Sequence, residues 1–359
     1  MTALLDYLLA KKIAKEKVAD AGIALHRVEE LYGDAEPTVE EIRKVSKAFK
    51  VAARDLILPV NFDLSDRTKF RSNFNYSPDD LNYYEACLIE NRFTEIASEI
   101  SIKSTLPFFV DFQKTSNSAE HLSRLFRVKL IGADLESPLF DLPTILYENF
   151  KIILFTFSSR LVDGASYRGS NSAIISIAER NDIRMMYTLG HELCHLLVDI
   201  NDRSDSEVWI DEDVLAPSNA EVRTAEYFAN EFSACLLIPL EGLVSEIKAI
   251  NARIDGPGSL TAYHIASVAR KFGTSFSVAA RRCENLDLID PGAASKLEGA
   301  VKKNYKSAEI FADSVDIPRR PNVDWKQPAN DIIKKLDNLF ISGDLSWTRV
   351  HELLNLKIM

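Results

Sequence analysis

An apolar stretch in the middle of the chain, Met185–Leu197, carries two histidines four residues apart. Within it the sequence reads His191-Glu192-Leu193-Cys194-His195. Residues four apart lie on one face of an α-helix, so His191 and His195 can bind the same cation. Glu192 projects beside them, within reach of a water on that cation, as in zinc peptidases. Because the flanking leucines and methionines are too apolar for a solvated helix, the pattern favours a buried metal site over two surface histidines.

A catalytic zinc ion takes three protein ligands, so a third ligand must come from elsewhere in the chain. The best candidate is Glu226, at the start of a second amphipathic helical segment, 225–239, which ends at a proline. Glu226 follows His195 by 31 residues, enough for a loop to return the second helix to the first. Asn230 lies one turn further along the same face and can orient a ligand by hydrogen bonding. Glu231 is the competing third ligand, although it points about 100° away from Asn230 on a helical wheel.

Two sequence blocks together are more specific than the histidine pattern alone. The first is His191–Leu197, and the second is Glu226–Pro239, which reads Glu-x-x-Ala-Asn-x-Phe-x-Ala-x-Leu-Leu-Ile-Pro. This combination resembles the ImmA/IrrE metallopeptidases. The chain departs from the usual pattern at Cys194, where glycine is common, and at Ile238, where methionine is usual.

The resemblance implies roles for the site residues. A zinc ion, or another divalent metal in its place, would have the ligands His191, His195 and Glu226. Glu192 would be the general base. Neither the residues nor the resemblance singles out an oxyanion donor, for which Tyr187 and Tyr227 are candidates. The implied activity is site-specific cleavage of a partner transcriptional repressor, which would derepress stress, mobile-element or defence genes.

Two segments before the histidines predict β-strands. Lys151–Phe157 and Ser172–Ile177 are rich in β-branched and aromatic residues. Between them, Val162–Ser166 and Gly169–Asn171 have the composition of turns. The strands would support the histidine helix as a hairpin, and an edge strand of the sheet could also hold a peptide substrate. Acidic residues crowd 202–213, which predicts a solvated loop, with selection of a basic substrate segment as the alternative.

The N-terminal segment predicts a compact helical unit. Short helices with tight turns are indicated over Lys17–Ile23, Leu25–Gly33 and Glu36–Ile42. Thr38 and Glu41 have the spacing of a capping box. The unit resembles the XRE-type helix-turn-helix often fused in front of this peptidase. Residues 1–58 contain ten Lys and Arg against ten Asp and Glu, so they offer no basic surface for phosphates. DNA binding by this unit therefore stays open, with docking or dimerisation as the alternative.

The expected fold class is α+β and mainly helical. A zincin-like metallopeptidase core with a small β-sheet would lie between an N-terminal helix-turn-helix bundle and a C-terminal helical region. The expected boundaries are a helix-turn-helix-like domain at 1–60, a connector with a long helix at 61–135, the zinc metallopeptidase domain at 136–290, and a linker with a helical tail at 291–359.

Composition and charge narrow the function classes further. The net charge of −10 argues against a general nucleic-acid coat. No apolar run approaches the ~18–20 residues of a membrane span, and no signal peptide is apparent, so we expect a cytoplasmic protein without a membrane partner. The four cysteines form no C-x-x-C pair, as expected in a reducing compartment. One of them, Cys87, is an alternative ligand for the open zinc position, and a buried structural thiol is its other interpretation.

Two function classes remain. The first is a zinc endopeptidase with a repressor-type protein substrate. In this class the N-terminal unit could also contact DNA, and the protein could form a homodimer. The second is a non-proteolytic DNA-binding regulator, or antitoxin-like protein, that uses the metallopeptidase fold as a scaffold. Glu192 favours the first class, because a scaffold has no need of a catalytic base.

Overall fold

The computed structural model describes the following residues: 2–49, 51, 53–57, 68–70, 81–157, 159, 162–169, 171–200, 207–212, 220–253, 259–323, 325 and 330–355. The chain divides into two compact units, one formed by Met1–Thr68 with Asn73–Ser98 and the other by Lys69–Ser72 with Glu99–Met359. Among the described residues, no helix combines the length and apolarity that crossing a membrane requires.

The first unit is helical. Its helices are α1 (Ala3–Ala10), α2 (Lys15–Asp20), α3 (Leu25–Tyr32), α4 (Val39–Phe49) and α5 (Leu81–Ile100), whose last residues belong to the second unit. A 3₁₀ turn at Ala53–Leu56 lies between α4 and α5. Apolar side chains spaced along these helices, including Leu8, Val18, Val28 and Val45, are fully buried and form the core of the unit.

The helix boundaries in this unit follow local sequence signals. The predicted capping box at the start of α4 is confirmed: Thr38 Oγ1 accepts from the Glu41 amide at 3.3 Å, and Glu41 Oε2 accepts from the Thr38 amide at 2.7 Å. Helix α3 begins after Ala24, whose methyl side chain cannot accept a capping hydrogen bond. The third predicted helix is longer than expected and runs to Phe49. Whether the unit binds DNA stays a prediction.

The second unit contains a sheet and the remaining helices, which confirms the α+β class. Its strands are β1 (Thr68–Phe70), whose first residue is assigned to the first unit, β2 (Ile152–Phe157), β3 (Val162–Arg168), β4 (Ala173–Ala178) and β5 (Glu207–Glu212). Its helices are α6 (Ser116–Leu125), which continues into a π-helical turn at Phe126–Leu130, α7 (Leu142–Phe150), α8 (Asp182–Val198), α9 (Ala220–Leu237), α10 (Leu240–Arg253), α11 (Ala262–Lys271), α12 (Phe276–Asn285), α13 (Ala293–Tyr305), α14 (Ala308–Ser314), α15 (Asn330–Ile341) and α16 (Trp347–Asn355).

The sheet has the strand order β1-β5-β3-β4-β2. Strands β2 and β4 confirm the two predicted strands, but they pair in parallel, so the expected hairpin between them is wrong. The segment Val162–Arg168, read from the sequence as turn residues, is a strand that pairs antiparallel with β4 on one side and β5 on the other. The physical reason is burial on both faces: every residue of β3 is buried, which removes the alternation that marks a half-exposed strand.

Part of the acidic segment is also a strand and not a loop. Glu207–Glu212 forms β5, and its alternate residues Val208 and Ile210 are buried. Burial of one face is what holds this stretch in the sheet, although half of its six residues are acidic. The acidic residues Asp202, Asp205 and Asp213 lie outside the described residues.

Helices α8 and α9 pack closely, and this contact positions the functional site. Gly190 on α8 faces Ser233 on α9, where an added Cβ would come within 2.6 Å of Ser233 Oγ. That hydroxyl donates to the Tyr187 carbonyl at 2.7 Å, which ties the two helices together. Leu193 and Phe232 are fully buried in the core that these helices share. Glycine at 190 therefore permits a helix separation that a larger residue would prevent.

Candidate metal centre

Three side chains from α8 and α9 meet in the interior of the second unit. His191 Nε2 and His195 Nε2 are 3.0 Å apart. Glu226 Oε2 lies 3.3 Å from His191 Nε2, and Glu226 Oε1 lies 3.4 Å from His195 Nε2. All three residues are buried, with at most 2% of the surface of each exposed. The tertiary structure thus brings together the three residues that the two sequence blocks indicate.

The donor set suits a zinc ion or a similar divalent metal. Two imidazole nitrogens and one carboxylate are the ligands of many catalytic zinc sites, which keep a fourth position for water. Ligands bound at 2.0–2.1 Å in a tetrahedron lie about 3.3 Å from one another. The nitrogen–nitrogen distance of 3.0 Å and the nitrogen–oxygen distances of 3.3 and 3.4 Å are close to that value. Within the described residues, this is a group that could hold a metal ion.

A chain of hydrogen bonds orients His191. Its Nδ1 lies 3.1 Å from Asn230 Oδ1, which also accepts from the Tyr187 hydroxyl at 3.2 Å. An amide oxygen can only accept, so His191 donates from Nδ1 and presents the lone pair of Nε2 to the site. Asn230, one turn beyond Glu226, thus contacts His191 in the structure, and its role in orienting a metal ligand stays a prediction.

A second chain orients His195, through a residue that the sequence reasoning missed. His195 Nδ1 donates to Asp199 Oδ2 at 2.8 Å, and Lys114 bonds the other oxygen of the same carboxylate. Asp199 follows His195 by four residues, so both lie on one face of the helix end. That four-residue spacing could have predicted the histidine–aspartate pair from the sequence. Lys114 precedes Asp199 by 85 residues, so no local spacing could have predicted its contact.

The pKa values of His195 and Glu226 are strongly shifted from their usual values. Burial lowers the pKa of His195, but its hydrogen bonds with the Asp199 and Glu226 carboxylates outweigh burial and raise the pKa to about 10. Burial raises the pKa of Glu226, but the charge and hydrogen bonds of His191 and His195 outweigh it and lower this pKa well below its usual range. An anionic carboxylate thus lies against imidazole nitrogens, an environment that favours a cation. A metal ion would take the place of the imidazole proton, because histidine binds metals in its neutral form.

Glu192 lies beside the triad and is held by the sheet. Its carboxylate is fully buried, and Oε2 accepts a hydrogen bond from Ser166 Oγ at 2.7 Å. Ser166 is on β3, 26 residues before Glu192. Ser166 could not be recognised from the sequence, because the segment around it has the composition of a turn. The contact orients the carboxylate that the sequence pattern marks as the catalytic base.

Strand β3 approaches Glu192 closely at a glycine. A Cβ added to Gly164 would lie 2.6 Å from Glu192 Oε1 and 2.6 Å from Thr188 Cγ2. Both of these are side-chain atoms of buried residues on α8, and the Glu192 carboxylate is also held by its hydrogen bond from Ser166. Glycine at 164 is therefore what allows the strand and the base to lie against each other.

Substitution of alanine for Gly164 should displace the Glu192 carboxylate. We expect the free energy of unfolding to fall by about 1–3 kcal/mol, the usual effect of overpacking a filled core, and peptide cleavage to fall with it. Denaturant unfolding and cleavage assays measure the two effects. Gly299→Ala is the matched control: Gly299 lies in α13 with nothing within 4 Å of its added Cβ, so alanine should stabilise the chain slightly. A Gly164→Ala variant as stable and as active as the parent would contradict the close approach.

Replacing Asp199 with alanine should weaken metal binding without removing a ligand. Loss of the carboxylate that orients a ligand histidine typically costs about 10–100-fold in metal affinity. Asp199→Asn is the conservative comparison, because its amide oxygen can still accept from His195 Nδ1 and should restore most of the affinity. Competition against a chelating dye measures both variants. Equal affinity of Asp199→Ala and the parent chain would show that His195 needs no partner.

The remaining candidates lie elsewhere. Glu231 does not join the histidines; its Oε1 accepts from Asn285 at 2.8 Å, and burial raises its pKa. The Tyr227 side chain is 56% exposed. Cys87 is buried in the core of the first unit, as expected for a structural thiol. Cys194 is buried within α8, and burial raises its pKa well above the usual range.

A buried histidine pair and a glutamate on two packed helices, with a second glutamate against a small sheet, define a candidate metallopeptidase site. Residues 147–284 match the model of a peptidase family, Peptidase M78, described as the IrrE N-terminal-like domain. The matched region runs from the second half of α7 into α12 and includes the histidine pair, both glutamates, Asp199 and Ser166, whereas Lys114 precedes it. This match supports the resemblance to the ImmA/IrrE family for that part of the chain. Among curated proteins, none matches the chain.

Proposed function

We propose that this protein is a zinc-dependent endopeptidase. The observation that carries the proposal is the meeting of His191, His195 and Glu226 in one buried site, with Glu192 held beside them by Ser166. The match of residues 147–284 to a peptidase family supports the same activity class. A scaffold that only bound other macromolecules would gain nothing from a buried carboxylate beside a metal site, since burying a charge is costly.

His191, His195 and Glu226 would hold the metal. Zinc bound there would lower the pKa of a water molecule and polarise the scissile carbonyl. Glu192 accepts a proton from the attacking water on its carboxylate and passes it to the nitrogen of the leaving amine as the C–N bond breaks. Ser166 donates to Glu192 Oε2, which fixes the orientation of the carboxylate during both transfers. Two tyrosines are candidates for the oxyanion donor. They are Tyr187, whose hydroxyl donates to Asn230 Oδ1, and the exposed Tyr227.

The substrate we propose is one partner protein of the repressor type, cut at a single site. The support is the family resemblance and the burial of the site: the ligands and Glu192 are all at most 2% exposed. A substrate must therefore present an extended segment that enters the site, which folded proteins in general do not. Strand β3 carries Ser166 but is paired on both sides, so a substrate strand would have to add at an outer strand, β1 or β2.

The test incubates the full chain with the repressor-like protein encoded beside its gene, with zinc and with a chelator. One discrete pair of fragments that needs the metal, and that identifies one cleaved bond by mass, is the expected result. General degradation of casein would contradict the single-substrate proposal. An intact partner under every condition, together with co-purification of the two proteins, would favour the non-proteolytic regulator.

A further inference from the structure

A cleft with a basic lining lies in the second unit, formed by α10, α11 and the segment 317–321. It has a volume of about 290 Å³, at the lower end of sites that take small-molecule ligands. Its cationic lining residues are Arg253, Arg270, Lys271, Arg319 and Arg320. Such a cluster is unexpected in a chain with a net charge of −10, and the metal centre does not use it.

The cleft is built from helix faces and not from scattered surface residues. On α11, Tyr263, Ser267, Arg270 and Lys271 follow the three- and four-residue spacing that places them on one face. On α10, Glu246 and Arg253 are seven residues apart and also share a face. Segment 317–321 forms the third wall of the cleft, and Pro318 and Pro321 limit the freedom of its backbone.

The carboxylates around the cleft neutralise only part of its charge. Arg270 contacts Asp313 at 2.6 Å and Glu309 at 3.2 Å. Arg319 also bonds Asp313, and Arg320 also bonds Glu309. Lys271 pairs with Glu246 at 3.0 Å. Among the described residues, these ion pairs set three carboxylates against the five cations of the cleft, an excess of two positive charges.

One cation in the cleft has no carboxylate partner among the described residues. Arg253 lines the cleft, is exposed and forms no ion pair within those residues. The guanidinium of Arg270 is buried and already bonds Asp313, Glu309 and the Ile317 carbonyl. The unpaired cation and the excess of positive charge point to a ligand that carries acceptor oxygens.

We infer that this cleft binds a small phosphate monoester. A phosphate monoester carries about −1.5 to −2 charges at pH 7 and three acceptor oxygens, which match a local charge of +2 and a set of arginine donors. A single carboxylate would leave half of that charge unbalanced. The ring of Tyr263 offers a flat apolar surface for the organic part of the ligand. The volume excludes a duplex or a folded peptide, so a molecule the size of a mononucleotide is the expected occupant.

Calorimetric titration of the full chain at fixed ionic strength tests the inference. The probes are adenosine 5′-monophosphate, adenosine and inorganic phosphate. We expect the monophosphate to bind more tightly than inorganic phosphate and at least about tenfold more tightly than adenosine, because the phosphate makes the charge-assisted contacts. Equal binding of adenosine and its monophosphate, or no binding of the monophosphate at millimolar concentration, would overturn the proposal.

A matched pair of arginine variants places the binding in the cleft. Arg253→Ala should weaken monophosphate binding about tenfold, the usual effect of losing one charged hydrogen bond, and it should not disturb the fold because Arg253 is exposed. Arg281→Ala removes an exposed arginine of α12 that does not line the cleft and should leave binding unchanged. Equal losses in both variants would show a nonspecific charge effect and overturn the assignment. The binding readout does not depend on peptidase activity, so it stands or falls apart from the proposed function.

Discussion

Replacing Glu192 with glutamine should abolish peptide cleavage while the metal stays bound. The amide keeps the size of the side chain, and its oxygen can still accept the hydrogen bond from Ser166, so the fold should be preserved. An amide cannot take up the proton of the attacking water, and general bases contribute about 10²–10⁴-fold to such reactions. We therefore expect the rate of cleavage to fall by at least that factor. A single-turnover assay with the identified substrate, beside a measurement of metal content, checks both parts.

Glu231→Gln is the matched control for this variant. Glu231 lies on α9, is partly buried and bonds Asn285, away from the histidine pair. Cleavage by Glu231→Gln should stay close to that of the parent chain. Cleavage at the parental rate by Glu192→Gln would remove Glu192 from the mechanism.

Replacing Glu226 with alanine should empty the metal site. The variant loses one of three protein ligands and the negative charge that lies 3.3 and 3.4 Å from the two histidines. Loss of an orienting partner alone costs about 10–100-fold in metal affinity, and loss of a ligand should exceed that range. We expect less than one tenth of the parental metal content after dialysis, and no detectable cleavage. Elemental analysis of the purified variants measures the metal.

Glu231→Ala distinguishes the two glutamates that the sequence left in competition. It should retain the metal, because its carboxylate is not among the groups that surround the histidines. An empty site in Glu231→Ala together with a full site in Glu226→Ala would mean that α9 presents a different face to α8 than the structure shows. Both variants should unfold at similar denaturant concentrations, which separates loss of a ligand from loss of the fold.

The pairing of His191 with His195 could be anticipated because its geometry is local. Four residues separate His191 from His195, and a helix of apolar residues places both on one buried face whatever surrounds it. The same reasoning located the capping box at Thr38 and Glu41. Each of these depends on contacts within about one helical turn.

The surroundings of Glu192 could not be anticipated in this way. The residues of β3 include aspartate, glycine and serine, which favour turns in isolation, and only pairing with β4 and β5 makes them a strand. Ser166 meets Glu192 across 26 residues, and Lys114 meets Asp199 across 85. Contacts at these separations depend on the packing of whole elements, so no local pattern records them.

By itself, the sequence determined which residues can bind a metal, because ligand spacing on a helix is a property of one hydrogen-bonded turn. It left open which of two glutamates on α9 completes the set, since residues 226 and 231 lie on the same helix and differ only in the face they present. The tertiary structure places Glu226, and not Glu231, beside the histidines, through the close contact of α8 and α9 at Gly190 and Ser233. It also decided how Glu192 is held, because a buried carboxylate takes its orientation from the strand that packs against it.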